Sequence, residues 1–86
     1  MIFVTLTKWK EKPTKEIVDG FTKTLEELEK KGIKMRVYWT LGRYNGVTIT
    51  EAKNEKDVMK ILLPFAGLID TETMVAIPRE EAVELL

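Results

Sequence analysis

Arg36, Tyr38, Tyr44, Glu51 and Glu72 are the side chains whose types could act together: a guanidinium to hold an anion, phenols to donate hydrogen bonds, carboxylates to accept a proton. Trp9, at the end of the first strand, suits the lining of a pocket, and Thr48 joins the set by strand alternation. These seven are candidates for ligand binding or an interface, and none is assigned a catalytic role. The sequence contains no His, Cys or Ser. The usual general base of neutral pH, the imidazole metal or haem ligand, the thiolate and the serine nucleophile are therefore all missing. Acidic residues such as Asp19, Glu26, Asp57 and Glu72 show only ordinary helix charge patterning, so neither a metal site nor a cofactor is expected.

The 86 residues carry 14 Lys and Arg against 14 Asp and Glu, a net charge of zero. Such a chain exerts no long-range pull on a phosphate backbone or an anionic lipid surface, which argues against nucleic-acid and membrane partners. No apolar run reaches the roughly 18–20 residues that span a bilayer, and the first ten residues read as a strand, not a signal peptide. A cytoplasmic location is expected, consistent with the absence of Cys. With 33% charged residues, no Gln and only Asn45 and Asn54 as amides, the composition suits a thermophile.

One domain, 1–86, is expected, with room for one modest core. After a strand over Ile2 to Thr7 and a loop from Trp9 to Pro13, Thr14 is placed to cap a helix that ends at Gly32. Ile17, Phe21, Leu25 and Leu28 form that helix's apolar stripe. Asp19/Lys23, Glu26/Lys30 and Glu27/Lys31 decorate its wet side, each pair contributing about 0.3–0.5 kcal/mol. Gly20, inside the helix, costs about 1 kcal/mol relative to Ala. Strands are predicted over 33–40 and 44–52, joined by a hairpin in which Gly42 and Asn45-Gly46 tolerate positive φ. A second helix starts at the cap Asn54, buries Val58, Ile61, Leu62 and Phe65, and ends or kinks at Pro64. A strand over 69–77 and a short helix after Pro78 complete the chain.

Strand, helix, strand, strand, helix, strand is the order of the α+β ferredoxin-like fold, a four-stranded antiparallel sheet with its helices on one face. The other face is left open. Alternation assigns to it Phe3, Thr5, Thr7 and Trp9, then Arg36, Tyr38 and Thr40, then Thr48 and Thr50, and finally Glu72 and Met74. A mixed apolar face of this kind calls for a partner. In the strand order four, one, three, two, Arg36 and Glu72 stand on opposite edges, about 14 Å apart, and could meet only across a dimer.

Tyr38-Trp39-Thr40-Leu41-Gly42-Arg43-Tyr44, together with Gly67-Leu68-Ile69-Asp70-Thr71-Glu72-Thr73-Met74-Val75-Ala76, resembles the GYD-domain family, with its Tyr-Trp-Thr-Leu-Gly-x-Tyr-Asp hairpin and later Thr-Glu-Thr strand. The resemblance runs through most of the chain. It implies a ferredoxin-like subunit similar to dimeric α/β-barrel proteins, in a family whose biochemical function is not established. Asn45 stands where the family has the Asp of its name; if that Asp were an acid or base, this chain would lack it. The Gly42 to Val47 segment also resembles the phosphate loop of acylphosphatases, but there the loop follows strand one, and here strand two.

The expected function is that of a non-catalytic domain that forms a homodimer or higher homo-oligomer through the open sheet face and binds a small molecule there. A cofactor-independent enzyme of the dimeric α/β-barrel type, monooxygenase- or isomerase-like, is the alternative. An RNA-binding sheet with stacking aromatics is a third reading, disfavoured by the neutral charge.

Overall fold

Two side-chain caps set where the long helices begin. In the computed structural model, which describes residues 1–86, Thr14 is extended and its hydroxyl oxygen accepts the Ile17 N–H at 3.3 Å, opening α1 (Lys15–Lys30). Asn54 does the same for α2 (Glu55–Leu62), its Oδ1 accepting the Asp57 N–H at 3.2 Å. Gly32, at φ +85°, turns the chain out of α1 as expected, and Pro64 sits in a 3-10 turn, Leu63–Phe65, that closes α2. The strands are β1 (Ile2–Trp9), β2 (Lys34–Trp39), β3 (Gly46–Glu51) and β4 (Ile69–Ala76), and α3 (Arg79–Val83) follows Pro78.

The strands form an open antiparallel sheet in the order β2-β3-β1-β4, the ferredoxin-like α+β arrangement. Residues opposite one another in such ladders share a face. Met35, Thr50, Phe3 and Val75 make one row, Val37, Thr48, Thr5 and Thr73 the next, and Trp39, Gly46, Thr7 and Thr71 the third. These rows lie beneath the helices. Phe3, 2% exposed, packs with Ala52 and Val58 while Ile33 and Leu62 close around them.

That register corrects the expected open face. Phe3, Thr5, Thr7, Trp9, Thr48 and Thr50 belong to the helix-covered side; Arg36, Tyr38, Glu72 and Met74 do lie on the open one. Thr40 falls just beyond β2, its hydroxyl donating to the Tyr44 carbonyl at 2.8 Å. The physical reason is that β1 and β3 alternate aliphatic residues with threonines, and hydropathy hands the aliphatic set to the core. Here the threonines face the helices, and Ile2, Val4, Leu6, Val47 and Ile49 face the other way.

The helix layer is loosely seated. Eight residues are buried, and none of them belongs to α1, although its Phe21 ring meets Phe65 with centroids 5.2 Å apart. The closed ion pair is Lys10–Asp70, at 3.6 Å, between the end of β1 and the start of β4; the helical i,i+4 pairs stay open.

Gly42 takes the positive φ expected of the hairpin, +128°, whereas Gly46 does not. Gly46 is ordinary strand; a Cβ there would sit 3.4 Å from the Tyr38 carbonyl oxygen and 3.7 Å from the Thr7 Cβ. Those are ordinary van der Waals distances, so a methyl group fits there and only a branched side chain would press on Tyr38 and Thr7. At Gly20 a Cβ would meet nothing within 4 Å. Gly46→Val should therefore destabilise by about 1–3 kcal/mol, whereas Gly20→Ala should stabilise by about 0.5–1 kcal/mol. Thermal melts read both, at about 4–8 °C per kcal/mol for a chain of this size.

Candidate functional site

The expected site residues divide between the two faces of the sheet. Arg36, Tyr38, Glu51 and Glu72 share the open face. Its rows read Tyr38, Val47, Leu6, Glu72, then Arg36, Ile49, Val4, Met74, then Lys34, Glu51, Ile2, Ala76. An aliphatic spine on the two central strands is thus flanked by a basic edge, Lys34 and Arg36, and an acidic edge, Asp70 and Glu72. Three inter-strand spacings, about 14 Å, keep Arg36 from Glu72 within one subunit.

Tyr44 reaches the acidic edge from the hairpin. Its hydroxyl donates to Glu72 Oε2 at 3.1 Å, and the Arg43 guanidinium stands 5.7 Å from its ring centroid. These contacts are exposed and satisfy one another. The phenol and carboxylates do not converge with Arg36 on a point where a substrate could react.

Trp9 and Thr48 lie on the covered face, where they line a cavity of about 400 Å³ between the sheet and the helices. Phe21 and Leu25 of α1 and Val58 and Ile61 of α2 form its roof; Thr5, Thr7, Thr48 and Thr50 lie on its floor. At its rim the Trp9 and Trp39 rings meet edge to face, centroids 5.0 Å apart. Trp39 is 63% exposed. Sequence reasoning placed Thr5, Thr7 and Thr50 on the wrong face and so missed the floor. The available signal was their size: threonines under the bulky stripe of α1 leave space that larger residues would fill.

Asn45 fastens the hairpin to the end of β1. Its Oδ1 accepts the Trp9 N–H at 3.0 Å, its backbone N–H donates to the Thr7 carbonyl at 2.8 Å, and its carbonyl accepts from the Thr40 N–H at 2.9 Å. An Asp at this position has the same acceptor oxygen, so the Asn preserves a structural contact.

The fold and the hairpin together define a ferredoxin-like α+β subunit with one open sheet face. This chain belongs to the GYD-domain family, whose model matches residues 2–86. Comparisons with curated proteins and with solved structures return no match. No helix is long and apolar enough to cross a membrane, and no three His, Cys, Asp or Glu side chains are grouped to hold a metal ion.

Asn45→Ala leaves the Trp9 N–H without its acceptor and should cost about 1–2 kcal/mol in denaturant unfolding, while Asn45→Asp should stay within about 0.5 kcal/mol of the parent. Equal losses in the two variants would contradict the clamp.

Proposed function

We propose that the domain is a non-catalytic, self-associating module in which two copies pack their open sheet faces together. The observation that carries this reading is the aliphatic spine of Ile2, Val4, Leu6, Val47 and Ile49, on a face that neither α1 nor α2 covers. Apolar side chains so grouped are stabilised when a partner removes them from water, at about 25 cal/mol per Å².

The surface area points the same way. The chain exposes 6898 Å², whereas a compact monomer of 9.9 kDa exposes about 5,200 Å². The chain thus leaves roughly 1,700 Å² more surface in water than a compact monomer of its mass. A stable dimer of standard size needs about 800 Å² from each partner. Its slab shape, 46 × 32 × 18 Å, offers one broad side for that purpose.

Charge favours one orientation. A two-fold axis running along the strands exchanges the sheet's two edges, so β2 of one copy lies over β4 of the other and Lys34 and Arg36 meet the partner's acidic edge. An axis across the strands would set β2 on β2, basic on basic. In the first arrangement Arg36 gains the carboxylate partner that it lacks within the subunit. The failure of the candidate groups to converge supports assembly over catalysis.

Sedimentation equilibrium of the parent chain should give twice the monomer mass, and Leu6→Lys or Ile49→Lys should give monomers. Arg36→Glu alone should weaken the dimer on the order of tenfold, with Glu72→Arg in the same chain restoring it. A parent chain that stays monomeric at every concentration refutes the proposal.

A further inference from the structure

We infer that the cavity between α1, α2 and the sheet is a binding site for a neutral, mostly apolar small molecule bearing one hydrogen-bonding oxygen. The inference stands on the covered face and does not depend on how the open face is used.

Volume comes first. About 400 Å³ falls within the range of small-molecule sites, and at about 30 Å³ for each water-sized group it holds on the order of a dozen non-hydrogen atoms. Protein interiors of this size ordinarily tolerate few voids larger than a water molecule. Here the apolar stripe of α1 looks across the space to the sheet without a single fully buried residue of its own.

The lining defines the ligand's character. Roof and walls are Phe21, Leu25, Val58, Ile61 and Phe65, which favour apolar surface. Among the lining residues the charged ones are Glu11 and Lys12, both exposed on the loop between β1 and α1 and therefore at the mouth. No charge in the interior compensates an ionised ligand, whose desolvation would be unfavourable.

The polar handle is on the floor. Thr5 is satisfied by Thr73, hydroxyl to hydroxyl at 2.9 Å. Thr48 and Thr50 are 8% and 2% exposed, and their hydroxyls make no side-chain hydrogen bond within the chain. Yet no side-chain polar atom is sealed from solvent without a partner. Their residual exposure is to the cavity they line, where each hydroxyl can donate or accept. These hydroxyls, with that of Thr7 on the same floor, face an apolar roof and suit an alcohol, phenol or ketone oxygen at one end of the ligand.

Three probes of nearly equal shape separate the alternatives: 2-naphthol, naphthalene and 2-naphthoate, titrated into the full chain by calorimetry and by amide and methyl NMR. The naphthol should bind saturably, one per chain, shifting Phe21, Leu25, Thr48 and Thr50; naphthalene should bind about tenfold more weakly, and naphthoate more weakly than either. Thr48→Val combined with Thr50→Val should reduce naphthol affinity to that of naphthalene, with naphthalene affinity retained as evidence that the variant is folded. Overturning results are equally definite. These are no saturable binding because α1 closes onto the sheet, equal binding of naphthoate, shifts confined to the open face, or a Thr48→Val, Thr50→Val double variant that binds naphthol like the parent. Sedimentation of the same samples separates this outcome from that of sheet pairing, since a monomer that binds naphthol keeps the site and removes the dimer.

Discussion

A four-stranded sheet has two faces, and this chain has two long helices, both on one side. Everything else follows from how the side chains are divided between those faces. The register of β1 makes the division, because β1 lies between β3 and β4 and hydrogen-bonds to both. A slip by one residue would exchange Phe3, Thr5 and Thr7 for Ile2, Val4 and Leu6 under the helices. The hairpin prevents the slip: Asn45 ties the turn to the backbone of Thr7 and Trp9.

The division is unusual in giving the helices the smaller side chains. Threonines are stiff, β-branched strand formers, but they are too short to meet Phe21 and Leu25 across the layer. The helix side therefore retains a cavity with polar points on its floor, while the bulkier aliphatic residues are concentrated on the side that no long helix covers. Both features leave apolar surface that the four strands and three helices do not cover. On the readings proposed above, a second sheet covers one face and a small molecule fills the other.

Much of this fold was legible in the residues. Thr14 and Asn54 announced their helices because a cap is a local interaction, complete within three residues. Gly32 and Pro64 marked the ends for equally local reasons. The strand order and the separation of Arg36 from Glu72 followed from topology. The faces of β1 and β3 were not legible, because both of their alternating sets are plausible strand residues and only pairing with β2 and β4 distinguishes them. Gly46 was misread for a related reason: composition suggests a turn glycine, whereas it is a strand residue paired with Thr7 and Trp39, neither of them a neighbour in sequence. The candidate site divided along the same line, with Arg36, Tyr38 and Glu72 on the expected face, Trp9 and Thr48 carried with β1 and β3 to the covered one, and Glu51, by the same register, brought to the open one.

Pairing of the open faces is tested most directly by isotope-filtered NOE spectroscopy on a mixture of ¹³C-labelled and unlabelled chains, which detects only contacts between copies. Sheet pairing predicts intermolecular NOEs among the methyl groups of Val4, Leu6, Val47 and Ile49, and from Met74 to the partner's β2 edge. Intermolecular NOEs arising instead from Phe21 and Leu25 of α1, or none from the sheet in a sample shown to be dimeric, would contradict it.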